Sequence, residues 1–188
     1  KENYMNTKAL YNEIKNGAYN EMFAKLYGNT DAAISRALAL CERFEERFGE
    51  MEGVALFSAP ARTELIGNHT DHALGKAVAA AIDLDILAVA APCKERLVIC
   101  GEEGVDITLD GEVHPEEKGK AAALARGMAD SFGGGFYAVT DSLIPLGMGL
   151  SSSAAFSLLC GKISNSFYGD GSADYMALSL AARVAENK

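Results

Sequence analysis

An α+β fold is what this chain of 188 residues predicts. Three observations lead there. Residues 1–49 carry apolar side chains at helical spacing, the spacing changes to that of strands after Gly53, and helices return only after several closely spaced strands. Strands that cluster with hairpin-like spacing favour a mixed or antiparallel sheet packed with helices over a doubly wound α/β sheet.

Each element has its own local reason. Thr30 is placed to cap a helix whose apolar face is Ile34, Leu38, Cys41, Phe44 and Phe48, ending at Gly49. Shorter amphipathic pieces precede it at residues 9–14 and 22–27. Residues 54–57, 81–90, 97–100 and 105–109 read as strands, with Gly101, Gly104, Asp110 and Gly111 supplying turns. An Ala-rich helix is expected over 116–131, ended by the glycines 133–135. A strand over 136–144 follows, then helices over 151–166 and 173–186. The chain divides into a helical extension, 1–50, and a domain from residue 51 to 188. No repeat or low-complexity segment interrupts it.

Composition narrows the function classes. Hydrophobic residues make up 49% of the chain, which places it among globular proteins rather than disordered ones. The formal net charge is −9, and no run of Lys or Arg forms a stripe that would track nucleic acid or an anionic membrane. Any phosphate must be held locally, against the overall field. The first residues, Lys-Glu-Asn-Tyr, contain no apolar signal-peptide core, and the apolar stretch 77–92 is broken by Asp83 and Asp85. Cys41, Cys93, Cys100 and Cys160 are scattered and read as reduced, mostly buried thiols, with a disulfide as the alternative. A cytoplasmic protein is expected.

The most informative stretch is 145–155, Pro-Leu-Gly-Met-Gly-Leu-Ser-Ser-Ser-Ala-Ala. Gly147 and Gly149 let the backbone turn tightly, and Ser151, Ser152 and Ser153 lead into a pattern of Ala155, Leu158 or Leu159, Ile163 and Phe167 at helical spacing. A loop feeding a helix in this way brings free N–H groups and the positive end of the helix dipole to one point, where phosphate binds. The same composition also serves as a plain capping turn. The Walker A pattern is excluded, since no Lys lies between Pro145 and Gly161. The Gly-x-Ser-x-Gly elbow fails because the fifth residue from Gly149 is Ser153.

Residues 59–72, Ala-Pro-Ala-Arg-Thr-Glu-Leu-Ile-Gly-Asn-His-Thr-Asp-His, are the second unusual segment. A strand is expected to end at Ser58, with Pro60 blocking its continuation into a polar loop. Arg62 offers a guanidinium fork suited to phosphate or carboxylate, and Asn68, His69 and Asp71 offer the mixed donors and acceptors of polyol recognition. A solvated turn with Arg62 in a surface ion pair is the plain alternative. A zinc site on His69, Asp71 and His72 lacks an evident further ligand nearby.

Together the two segments resemble the first two signatures of the GHMP small-molecule kinases. The stretch 145–155 fits the nucleotide signature P-x-G-x-G-L-S-S-S-A-A throughout, and 59–72 resembles the galactokinase-branch signature A-P-G-R-x-N-L-I-G-E-H-T-D-Y. The resemblance implies a GHMP N-terminal domain of the ribosomal protein S5 domain 2-like type. It further implies transfer of the γ-phosphoryl group of ATP, with Mg²⁺, to the anomeric hydroxyl of galactose. Another GHMP kinase and a non-catalytic galactose and ATP sensor are the alternatives.

By the same resemblance Arg62 is the active-site arginine, while Asn68, His69 and Asp71 bind the sugar. Pro145, Gly147, Gly149, Leu150, Ser151, Ser152 and Ser153 hold the nucleotide, and Ser153 with Glu186 attends Mg²⁺. On the residues alone, Glu186 reads as an exposed carboxylate at a helix end. Ala61, Glu64, Asn68 and His72 depart from the pattern, which has Gly, Asn, Glu and Tyr there. Asn68 exchanges an ionic acceptor for a neutral amide, and charge-assisted bonds are about twice as strong as neutral ones. The family's catalytic aspartate lies in a C-G-x-M-D-Q stretch that falls beyond Lys188, as does its second domain. The 188 residues by themselves are therefore expected to be inactive, since losing a general base costs about 10²- to 10⁴-fold in rate.

Overall fold

The computed structural model describes residues 4–67, 75–102, 104–112, 114–145, 147–169 and 173–186. Three helices come first: α1 (Thr7–Lys15), α2 (Asn20–Leu26) and α3 (Thr30–Phe48). Four strands follow: β1 (Ala55–Ile66), β2 (Val78–Cys93), β3 (Arg96–Cys100) and β4 (Val105–Thr108). A 3₁₀ turn at Pro115–Glu117 leads to α4 (Ala121–Phe132), β5 (Gly135–Ser142), α5 (Ser152–Tyr168) and α6 (Tyr175–Glu186). The expected α+β class is the observed one.

The sheet has the order β1-β2-β5-β3-β4. All neighbours run antiparallel except β3 and β5, which are parallel. Alternation along β2 sorts its side chains into two cores. Ile86, Ala88 and Ala90 join Phe57, Phe136 and Ala138 against α4, α5 and α6. Leu87, Val89 and Ala91 join Val139 against Leu10, Ile14, Phe23 and Phe44 of α1–α3. Helices thus cover both faces, which is why β2 is buried continuously over residues 85–91. Phe23, Phe44 and Phe136 have no exposed area, and truncating such a ring costs about 3–5 kcal/mol.

Several boundaries differ from the sequence reading. Asn29, not Thr30, caps α3, its side chain accepting from the Ala32 N–H at 3.1 Å. The strand at Ser58 does not stop: β1 continues through Pro60 to Ile66. Proline is tolerated because β1 lies at the sheet edge, where an absent N–H leaves no ladder bond unmade. A register shift between Pro60 and Arg62 bends the ladder there, so Arg62 stands on a strand and not in a loop. The helix expected at 116–131 starts late because Gly119, at φ +75°, separates the 3₁₀ turn from α4. β5 ends at Ser142, short of residue 144.

All four cysteines are free, with Cys41 and Cys160 buried. Burial pushes the Cys41 thiol up to about 12, which leaves it protonated and inert at neutral pH. Among the described residues no helix is long and apolar enough to cross a membrane.

Candidate functional site

The loop 145–151 follows the end of β5, the central strand of the sheet, and enters α5. Gly147 and Gly149 have φ of +71° and +73°, and a Cβ on either would meet nothing within 4 Å. Backbone conformation, not crowding, makes these two positions favour glycine. Ser151 follows at φ +58°, the non-glycine residue with positive φ among those described. Left-handed residues alternating with ordinary ones turn successive N–H groups toward one concave side, an arrangement that suits an anion.

The start of α5 adds to this. Ser151 occupies the N-cap position but makes no side-chain capping bond, so its hydroxyl is not spent on the helix. The Ala155 N–H to Ser151 carbonyl bond, 3.1 Å, closes the first turn. The N–H groups of Ser152, Ser153 and Ala154 precede that bond and have no acceptor inside the helix. With 17 residues behind it, the N-terminus of α5 carries the positive end of a full helix dipole.

Beside this helix start lies a cavity of about 140 Å³. Its polar wall comprises Ser152 and Ser153 from α5, Thr140 and Ser142 from β5, and Glu102 just after β3. Its apolar wall comprises Ile86, Ala121, Leu124 and Phe156. Gly101 lets Glu102 reach the rim, since a Cβ at Gly101 would overlap the Thr140 hydroxyl. An apolar slot with a few convergent hydroxyls is the usual form of a small-molecule site.

The backbone of Arg62 meets the same loop from β1. Its backbone N–H donates to the Leu150 carbonyl at 3.4 Å, so the free edge of β1 is tied to the loop. The guanidinium is half exposed and stands 3.5 Å from the Glu64 carboxylate, two residues along the strand. An ion pair this open contributes little and is easily exchanged for a ligand anion.

Of the residues singled out in the sequence, the structure brings Arg62, Leu150, Ser151, Ser152 and Ser153 together. Pro145, Gly147 and Gly149 lie exposed along the loop. Asn68, His69 and Asp71 fall outside the described residues. Glu186 is exposed on the last turn of α6 and does not line the cavity with Ser153. No group of three or more His, Cys, Asp or Glu side chains among the described residues could hold a metal ion. That donor set fits Mg²⁺ only when it arrives on nucleotide phosphates, keeping most of its waters, with a hydroxyl such as that of Ser153 within reach.

The sequence reading missed Glu102, Thr140 and Ser142. Thr140 and Ser142 were legible in principle as polar residues alternating at the end of an apolar strand, but β5 faces helices on both sides and its register was not known. Glu102 carries no local signal at all.

Comparison with known proteins follows the same division. Residues 42–92 match the family described as the galactokinase galactose-binding signature, and residues 118–188 match the GHMP kinases N-terminal domain. The chain is 31% identical over 157 residues to the galactokinase of Bacillus subtilis (strain 168), covering 77% of this chain and 40% of that protein. It is 35% identical over 137 residues to the galactokinase of Homo sapiens, covering 65% and 35%. The galactokinase of Lactococcus lactis, solved in complex with galactose, superposes with a TM-score of 0.68 at 26% identity, over 78% of this chain and 40% of that one. Mevalonate kinase from Methanococcus jannaschii shares the fold, with a TM-score of 0.58 at 18% identity over 71% of this chain and 46% of that one.

Fold and loop together define a GHMP kinase N-terminal domain. Within that class the chain belongs with the galactokinases, over their N-terminal portion. It spans at most 40% of the length of the two relatives named above.

Proposed function

We propose that this chain supplies the nucleotide loop and the active-site arginine of an ATP-dependent sugar kinase. The whole protein would transfer the γ-phosphoryl group of ATP to the anomeric hydroxyl of galactose. One observation carries the reading. The Arg62 N–H to Leu150 carbonyl bond joins the strand of the galactokinase signature to the loop of the nucleotide signature, so the residue that carries a half-exposed guanidinium is tied to the loop that would hold phosphate.

Phosphoryl transfer asks the protein for position and charge stabilisation more than for covalent chemistry. The N–H groups of residues 152–154, with the hydroxyls of Ser151–Ser153, are suited to hold the nucleotide phosphates without a lysine. Arg62 would release Glu64 and pair with charge developing on the transferring group. Mg²⁺ would supply further neutralisation on the phosphates, with Ser153, and with Glu186 if α6 brings it closer in the whole protein. The apolar wall formed by Ile86, Leu124 and Phe156 suits a nucleobase. Asn68, His69 and Asp71 remain the proposed sugar ligands.

The 188 residues alone are proposed to bind without turning over, because the family's catalytic aspartate falls outside them. A phosphorylation assay of the full-length protein across a panel of sugars tests the reading. Galactose phosphorylation at the anomeric position supports it. Preference for a different small-molecule acceptor supports another GHMP kinase, and sugar and ATP binding without turnover supports a sensor.

A further inference from the structure

Behind the candidate site, on the opposite face of the sheet, Arg36 of α3 is held among carboxylates. Its Nη1 lies 2.5 Å from an Asp85 carboxylate oxygen and its Nε 2.5 Å from an Asp141 carboxylate oxygen. Its Nη2 also donates to the Asp141 carbonyl at 2.6 Å. The other Asp85 oxygen accepts from the Ser58 hydroxyl and from the Tyr27 hydroxyl, each at 2.5 Å. The Arg36 and Asp85 side chains are only 13% and 3% exposed, so the cluster is a desolvated network and not a surface pair.

The network grips three strands at once, β1 and β2 within their length and β5 at its end. Ser58 is on β1, four residues before Arg62. Asp85 is on β2, next to Ile86 of the cavity wall. Asp141 is on β5, between Thr140 and Ser142, whose side chains point the other way, into the cavity. β3 pairs with β5 only as far as Val139, so residues 140–142 lack that neighbour and Arg36 serves the Asp141 carbonyl beyond it. The Asp85 carbonyl in turn accepts from the Leu143 N–H at 2.9 Å, which fixes where the chain departs toward the loop.

We infer that Arg36 is a positioning residue for the nucleotide site: from the N-terminal helical layer it holds β1 and β2 in register with the end of β5, the alignment that aims the loop at its phosphate. This rests on the nucleotide reading above. Arg36 touches no ligand. It acts through Asp85 and Asp141. A lysine in its place would restore the charge but not the fork, so it would serve one carboxylate at a time.

The test compares the wild-type chain with Arg36→Gln and Arg36→Lys, each held well below its own midpoint of thermal unfolding. ATP affinity is read by calorimetry, and backbone amide shifts are read without ligand. Arg36→Gln is expected to weaken ATP by about tenfold while remaining folded, with partial recovery in Arg36→Lys, in the range that changes away from a ligand impose. Amide shifts are expected to move at Thr140, Ser142 and Gly149 to Ser153. Should Arg36→Gln not fold, Asp141→Asn replaces it, since that carboxylate is 39% exposed and its loss leaves the carbonyl contact in place. A folded variant with wild-type ATP affinity overturns the inference. If the wild-type chain binds no ATP, the nucleotide reading fails by itself, and the ligand-free shifts decide about Arg36: changes that stop short of residues 149–153 overturn its positioning role.

Discussion

The backbone N–H of Arg62 donates to the carbonyl of Leu150 across 3.4 Å, joining two segments that lie far apart in sequence. A strand edge would otherwise present that N–H to solvent or to another chain. Here it fixes the loop, and the loop in turn sets the start of α5.

Gly149 at φ +73° and Ser151 at φ +58° place opposite demands on substitution. Gly149→Ala is expected to cost about 1–2 kcal/mol, the penalty of a side chain in the left-handed region. Ser151→Gly is expected to stabilise the fold by up to about 1 kcal/mol, because it relieves the same penalty. Both are expected to weaken ATP, the first by moving the N–H groups and the second by loosening them. Urea denaturation and calorimetric titration separate the two effects.

Gly127 of α4 lies against Ala185 of α6, where an added Cβ would come within 2.6 Å of the Ala185 Cβ. Gly127→Val is expected to push the helices apart at a cost of about 1–3 kcal/mol, the usual penalty of overpacking. Ala185→Gly in the same background is expected to recover part of that loss. Thermal unfolding of the wild type and both variants checks the coupling.

His114 stands 3.0 Å from an Asp110 oxygen and 3.1 Å from a Glu116 oxygen. The Asp110 bond, then the Glu116 bond, raise its pKa above the usual 6.5; Asp110 is lowered by the Glu112 backbone N–H and then by His114, and Glu116 by its own backbone N–H and then by His114. The folded state thus holds the proton more tightly than the unfolded chain. The contribution is fully present below pH 6.5 and is lost as pH rises through the higher folded value. An imidazole titration followed by NMR is expected to give a raised midpoint, and Asp110→Asn is expected to bring it back toward 6.5.

Tyr27 behaves likewise at the alkaline end. Burial, then its bond to Asp85, pushes its hydroxyl up to about 12. Since the unfolded value is near 10, stability tied to the neutral phenol is present below pH 10 and lost between about pH 10 and 12. Burial pushes the Tyr168 hydroxyl up to about 12 as well, so ultraviolet absorbance against pH is expected to show two tyrosines ionising well after the exposed ones, and Asp85→Asn is expected to advance one of them.

Much of the fold was legible because apolar spacing records which face is buried. α3 announced itself through Leu38, Cys41 and Phe44, and the loop 145–155 through its glycines and serines. Pro60 misled because its cost depends on whether its strand is at an edge, which the order β1-β2-β5-β3-β4 decides and local sequence does not. Arg36, Asp85 and Asp141 were invisible for the same reason. Their meeting requires α3 to pack across the sheet onto β2 and β5, and nothing in the spacing of 36, 85 and 141 encodes that. Glu102 reached the cavity rim through a close approach of Gly101 to Thr140, again a tertiary fact.

The most direct test of the central claim is amide chemical-shift mapping of the chain during titration with ATP. The account predicts saturable shifts at Gly147, Gly149, Leu150 to Ala154 and Arg62, with further changes at Glu102, Thr140 and Ser142. Saturation without movement of Gly149 to Ala154, or no saturable shift anywhere, would contradict it.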